Sequence, residues 1–436
     1  MQKRRVKTSV RASIKDGAAW AAMSGFADPY TVPFALALGA GTMGVGVLRS
    51  LPWLVSAFLQ LFSEKTVQLL GSCKRALLHS VFLQALALFA AASAAFLPGR
   101  AAFPVLLAAV VAYVAAGNLS APPWAVLMGK YIPASRRGAF FGFRFRLIGL
   151  VFFATSFAAA RVLGWAGEGA RWGFFAVFAG AGCFRLLSWR FITAMYEPRT
   201  RFHMPRGGGV DFLGAFDFRR GRVSALFFSA LLFLCGTYLA APYFSVYALK
   251  ELGLPYPRYM LLMSIGPLMT YLFMKRWGQA ADAYGSVTVL KAAFLLIPLV
   301  PLLWTLGRDL RYLVAVEAFS GIIWGAYLIG MSNFIYESVP AASRAGYVAV
   351  NGLTGALAQF AGALAGGWLY DYFPPLKGSS FVPLLLLSAA LRAAASLPMF
   401  MLVRENRPVR RAGPADLLLF MTGRNPPALP LGPNLR

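Results

Sequence analysis

The sequence predicts an all-α integral membrane protein, with twelve transmembrane helices arranged as two six-helix pseudo-repeats around a central cavity. Three observations carry this reading. Apolar runs of spanning length fill the chain between short polar breaks, Lys and Arg gather at one set of those breaks, and the second half of the chain echoes the first. The chain is 59% hydrophobic and only 13% charged, whereas soluble domains carry roughly 25% charged residues. So much apolar surface needs a bilayer as solvent, where about 20 apolar residues make one helical crossing.

The elements follow in order. Lys3, Arg4, Arg5, Lys7, Arg11 and Lys15 mark residues 1–16 as a cytoplasmic N-terminus. Six spans are expected over 17–39, 43–62, 76–97, 102–128, 139–162 and 170–196, making an N-terminal half of 17–196. Residues 197–222, with "PRGGG" and Arg199, Arg201, Arg206, Arg219, Arg220 and Arg222, read as a basic cytoplasmic linker. Six more spans over 223–248, 256–276, 286–307, 311–336, 345–373 and 379–403 make the C-terminal half, 223–403. The tail 404–436 is rich in Pro and Arg and is expected to be disordered in the cytoplasm, although "DLLLFM" could touch the membrane surface. The basic N-terminus leads into an apolar run without a small-residue cleavage site, so an uncleaved first span is expected.

The net charge of +27 is explained by orientation. The opposite breaks hold few cations, such as Arg100, Arg171 and Lys377, and the bias places both termini in the cytoplasm. Nucleic-acid binding is therefore not expected. Cys73, Cys183 and Cys235 have neither metal-ligand nor redox spacing, and His79 and His203 are isolated, so no metal site or disulfide framework is implied. No Gly-rich phosphate loop argues for ATP hydrolysis, and no Ser-His-Asp pattern argues for an enzyme. No cofactor is expected.

The two halves align at three places. "YIPASRRGAFFG" (131–142) pairs with "SVPAASRAGYVAV" (338–350), each opening a fifth helix, and "SLPWLVSAFLQ" (50–60) pairs with "SIGPLMTYLFM" (264–274). "SEKTVQLLGSCKRAL" (63–77) is a worn version of "WGQAADAYGSVTVLK" (277–291), each joining a second helix to a third. Parallel six-helix repeats belong to transporters that rock about a midplane site. On these segments the chain resembles the major facilitator superfamily over nearly its whole length, and "PPWAVLMGKYIP…RRGAFFGFRFR" looks like a poorly characterised prokaryotic branch of it.

That family carries a cytoplasmic Gly-x-x-x-Asp-Arg-x-Gly-Arg-Arg loop after the second helix, often echoed after the eighth. Gly278, Asp282 and Gly285 match the echo, while Ala283, Ser286 and Val287 depart from its basic positions. In the first half only Gly71 keeps register, with Gln68 in place of the acid. The resemblance implies that the acid latches one half to the other in one state of the cycle, with Asp282 near Gly138–Phe140 at the start of the fifth helix. It also implies that helices one, four, seven and ten line the cavity. A tight turn suits Gly285, and a helix N-terminus favours a nearby carboxylate; a solvated loop acid is the other reading of Asp282.

Ionisable groups inside spans are costly and are functional candidates by default. Asp28, near the middle of the first span, shares a helix face with Ser24 and Thr31, and Pro29 and Pro33 weaken the backbone ladder beside it. It reads either as a proton-titrated or substrate-binding carboxylate, or as the structural partner of a nearby Arg. Arg49, Arg144, Arg146, Arg185 and Arg392 also fall within spans. Arg144 and Arg146 are two apart and cannot face the same way; a cavity role competes with snorkelling or pairing for each. Glu317, aligned with Ser320, Gly321 and Trp324, is balanced between site and structural pairing. Asn118 is a substrate candidate or interhelical glue, Trp324 and Trp124 are packing aromatics that could meet a ligand, and Gly362 with Gly366 forms a small-xxx-small packing pair.

The expected function is secondary transport of a small solute by alternating access. Protons are expected as the coupling ion, and the surplus of Arg in the spans hints at an anionic substrate. Two alternatives stand beside it: an exporter of amphipathic compounds or lipids, and a non-transporting receptor or scaffold on the same fold. A monomer in the plasma (inner) membrane is expected.

Overall fold

The computed structural model describes residues 2–60, 62–132, 134–167, 170–197, 221–339, 344–376, 378–405 and 416. The expected linker and tail lie almost wholly outside them. The described chain is helical, with helices α1 (Gln2–Ala27), α2 (Thr31–Ala37), α3 (Thr42–Gln60), α4 (Ser63–Leu70), α5 (Cys73–Ser93), α6 (Gly99–Tyr131), α7 (Ala134–Ala166) and α8 (Arg171–Thr193) in the first half. The second half holds α9 (Arg222–Ala240), α10 (Phe244–Val246), α11 (Tyr256–Tyr284), α12 (Ser286–Leu296), α13 (Leu299–Trp304), α14 (Leu310–Ser338), α15 (Arg344–Tyr372) and α16 (Phe381–Leu402). Each of the twelve expected spans coincides with a helix or a broken pair of helices.

Among the described residues, ten helical segments are long and apolar enough to cross a membrane. The two expected spans outside that set are the α1–α2 segment and α11, and both carry charge: Lys15, Asp16 and Asp28 in one, and Arg258, Lys275, Arg276 and Asp282 in the other. Residues 2–16, expected as the N-terminus before the first span, form the first turns of α1. The structure corrects two local expectations. Residues 63–70 form α4 rather than loop. Residues 277–284 are the last turns of α11, so Gly278 and Asp282 stand on a helix and the turn is Gly285 alone.

Gly71 and Gly285 occupy the left-handed region, with φ of 64° and 90°, where a Cβ is strained. Each lets one helix end and the next begin almost at once.

The chain divides into two compact units, Met1–Met204 with Ser245–Met260 and Pro205–Phe244 with Leu261–Arg436. In the first, Met23, Tyr30, Phe34, Leu88, Leu106, Phe174 and Phe178 form the core, to which Tyr256 and Met260 contribute. The Tyr259 hydroxyl donates to the Pro29 carbonyl at 3.2 Å, tying the 245–260 segment to the break after α1. In the second unit Phe233, Trp277, Leu290, Phe294, Ile323 and Met331 do the same work. Gly362 and Gly366 sit directly against the α9 backbone at Cys235 and Leu239, with no room for a Cβ. That close approach is what a small-xxx-small pair permits.

Candidate functional site

Pro29 removes a backbone donor one residue after Asp28, and the helix answers with a single tight turn over Asp28–Tyr30 before α2 begins. The break leaves Asp28 half-buried on the wall of a cavity of about 560 Å³. Ser24, one turn back, donates to Oδ2, and the Tyr113 hydroxyl donates to Oδ1 at 2.7 Å. Thr31 instead closes on the Asp28 main-chain carbonyl at 3.0 Å. Asp28 is thus held by two hydroxyl groups, with the Arg49 charge also acting on it from the same cavity wall.

Every residue lining this cavity belongs to the first unit. Arg49, Pro52 and Trp53 come from α3, Gln84 from α5, and Tyr113, Asn118 and Trp124 from α6. Arg144 and Phe145 come from α7, Arg185 from α8, and Asp16 and Trp20 from α1. Asn118 donates to Ser56 Oγ at 2.5 Å, joining α6 to α3.

A second polar cluster occupies the same walls. Arg144 is 7% exposed and lies 3.6 Å from Asp16 Oδ2, with its guanidinium 4.4 Å above the Trp124 ring. Gly17 makes this possible, since a Cβ there would come within 2.8 Å of the guanidinium. Arg185, 3% exposed, donates from Nη1 to Ser188 Oγ at 2.9 Å, and Ser188 passes a 2.7 Å hydrogen bond to Asp16 Oδ1. Arg146 is exposed and outside the cavity, as its spacing from Arg144 requires.

The structure therefore brings together Asp28, Arg49, Asn118, Arg144 and Arg185. Glu317 and Trp324 are not among the residues that line this cavity; both lie on α14 in the second unit. There Glu317, half-buried, accepts from Trp304 Nε1 at 3.0 Å, and Gly266 leaves it space. Trp324 is edge-on to Phe233 and Tyr327 at 6.4 and 5.4 Å. Arg392, 3% exposed, donates to the Thr237 carbonyl at 3.4 Å.

The pair of left-handed glycines introduces a feature the sequence reading missed. Glu197, just after α8, accepts from Ser72 Oγ and from the Cys73 and Lys74 backbone N–H groups at 2.7 and 3.3 Å. Glu405, just after α16, accepts from the Val287 backbone N–H at 2.9 Å. Each carboxylate sits at a helix N-terminus, where the exposed N–H groups and the helix dipole favour an anion. Asp282, by contrast, is exposed on the last turn of α11.

Asp16 was also missed, because it precedes the expected first span by one residue and was counted with the basic leader. Tyr113 gave no signal, since a lone tyrosine in an apolar run reads as packing. The Glu197 and Glu405 caps did leave one: "YEPR" and "RENR" end the two halves at matching places.

The Major Facilitator Superfamily model matches residues 226–431. A comparison with curated proteins found no match. Among solved structures, the chain is similar to the nucleoside transporter NupG, at 13% identity and a TM-score of 0.69, covering 91% of this chain and 98% of that one. It is similar to a bacterial homologue of the iron transporter ferroportin in its inward-facing state, at 13% identity and a TM-score of 0.66, covering 91% and 98%. It is similar also to the inward open xylose transporter XylE from E. coli, at 14% identity and a TM-score of 0.60, covering 92% and 96%. These likenesses establish the fold over nearly the whole chain. The Major Facilitator Superfamily match lies in the second half of this multi-pass membrane protein, and the likenesses give the whole chain a transporter-type fold.

Proposed function

We propose that this protein is a secondary active transporter that moves a small organic solute by alternating access, coupled to protons through Asp28. One observation carries the reading: a carboxylate at a helix break, inside a cavity of ligand size, hydrogen-bonded by hydroxyl groups that can rearrange. Small-molecule sites measure about 300–1,000 Å³, and this cavity falls within that range at about 560 Å³. An ionised carboxylate is poorly solvated in a bilayer, so Asp28 must be protonated or hydrogen-bonded, and water access in each state of the cycle selects between the two. Ser24 and Tyr113 give the ionised form its hydrogen bonds and can turn away from the neutral one.

Asp282 acts in this reading as a conformational latch, together with the Gly278–Gly285 segment that positions it. The plasma membrane, a monomeric state and cytoplasmic termini complete the proposal; the Lys/Arg asymmetry supports the orientation. A second reading, export of amphipathic compounds, draws on Trp20, Trp53 and Trp124 in the cavity wall.

The test is uptake into proteoliposomes under an imposed pH gradient. The Asp28→Asn protein should lose gradient-driven accumulation while retaining part of its solute exchange. Normal, pH-dependent accumulation by a well-folded Asp28→Asn protein would exclude Asp28 as the coupling group. Inside-out vesicles report the direction and so separate import from export. Reporter fusions at 197–222 and at both ends check the orientation, and a periplasmic signal from the linker would overturn it.

A further inference from the structure

The Asp16–Arg144–Arg185 cluster is short of one negative charge. Two guanidinium groups, 7% and 3% exposed, share a single carboxylate. Asp16 meets Arg144 at 3.6 Å, a long separation, and meets Arg185 through Ser188 and by charge attraction, without a direct ion pair. Arg185 Nε is buried without a hydrogen-bond partner, and Trp124 Nε1, beneath the Arg144 guanidinium, has at most the Asp16 carboxylate to donate to. A buried donor left unmet is destabilising, and a buried cation without its counter-charge more so. Proteins keep such groups where a ligand completes them. Asp16, Trp124, Arg144 and Arg185 all line the cavity described above.

The rest of the wall defines what the ligand's other end is like. Trp20, Trp53, Pro52, Phe145 and Ile148 present flat or apolar surfaces, while Asn118 offers polar contact. Arginine suits planar oxyanions because its fork of donors can meet two oxygens at once.

We propose that this cavity binds an organic oxyanion: a carboxylate or phosphate group held by Arg144, Arg185 and Trp124 Nε1, on a flat, largely apolar body. The proposal rests on the transport reading above for its physiological meaning, but not for its test. Asp16 is the built-in competitor of the ligand. Its carboxylate stands where a second anion would bind, which sets affinity and lets the ligand leave.

The experiment is binding to the purified full-length protein in detergent, read by tryptophan fluorescence and by thermal shift. The probes are benzoate, indole-3-acetate, phenyl phosphate and uridine monophosphate, beside the uncharged benzamide, indole-3-acetamide, phenol and uridine. At least one anion should bind saturably, and at least about tenfold more tightly than its uncharged counterpart, the size of one charge-assisted contact. Which pair shows the difference tells carboxylate from phosphate. Arg185→Gln should abolish that preference. Asp16→Asn, which removes the competitor, should tighten anion binding in the fraction that folds, and this separates a binding role from a structural one.

Equal binding of anions and uncharged counterparts, binding of the uncharged set alone, or no saturable binding by any probe would overturn the proposal. Tight anion binding without movement in proteoliposomes would sink the transport reading and leave this one standing. Proton-driven movement of an uncharged solute alone would do the reverse.

Discussion

The two units close themselves in the same way and fill themselves differently. In the first, Gly71 ends one helix and Glu197 caps the start of the next; in the second, Gly285 and Glu405 do so. Lys74 reaches the Thr193 carbonyl at 2.8 Å, and Lys291 reaches Phe400 at 3.4 Å, an equivalent place. Inside, the likeness ends. The first unit holds Asp16, Asp28, Arg144 and Arg185 around an open cavity, while the second holds Glu317 and Arg392 among packed aromatics. The frame of a repeat is set by backbone requirements at helix ends, which both halves must meet. The interior is free to diverge, so that is where function is to be sought.

The comparison breaks or sharpens with mutation. The largest effect is expected from the interior acids. Asp28→Asn should remove pH-driven accumulation by about 100-fold or more, whereas Glu317→Gln should cut it by no more than about tenfold. An equal loss in both, measured by uptake in proteoliposomes, would move the coupling group into the second unit's share of the work. Next comes Asp16→Leu, which strands the Arg144 and Arg185 guanidinium groups. Removing one partner of a buried pair costs about 3–5 kcal/mol, so the protein's thermal midpoint in detergent should drop sharply. No drop would show that the 3.6 Å pair contributes nothing.

Gly366→Leu should follow, since a side chain there meets the α9 backbone at Leu239. Overpacking of this kind typically costs about 1–3 kcal/mol, and the thermal midpoint again reads it. Glu197→Gln and Glu405→Gln should each cost about 1 kcal/mol through loss of a charged cap, and by similar amounts. A large difference between the two would mean that one half depends on its clasp and the other does not.

The smallest effect on stability belongs to Asp282→Asn, within about 0.5 kcal/mol, because the residue is exposed. Its expected signature is a shift of the conformational balance toward inward-open, seen by accessibility labelling; unchanged populations would end the latch idea.

Much of the fold was legible because a bilayer enforces it. Apolar runs must become helices, and the Pro29 and Gly285 breaks follow from local backbone chemistry. The site was legible only in part. Asp28, Arg144 and Arg185 stood out because charge inside a span is rare. Asp16 and Tyr113 did not, because nothing in a linear pattern says that a residue at a span's edge will sit beside an arginine four spans later. Asp28's partners were half visible: Ser24 lies one turn away, but Tyr113 comes from α6. The extent of α11 was hidden for the opposite reason. Its last turns carry Gln279 and Asp282 and look like loop, and Gly278 looks like a breaker, yet the helix continues to Tyr284 because Trp277, Ala280, Ala281 and Tyr284 are buried in the second unit's core.

The carboxylate clasps also bear on how the protein is made. Glu197 follows the sixth span yet bonds to the start of the third, so the first unit can fasten itself only after its last helix has left the ribosome. From then on its six spans are fastened together, and the 245–260 segment of the second half is added to its core later. Glu405 lies just beyond α16, so its clasp forms only after the last span of the second half has been made. A chain stopped at residue 403 would keep every membrane crossing and lack the fastening of its second half. Such a truncation should insert normally, resist protease across its first unit and yield across its second.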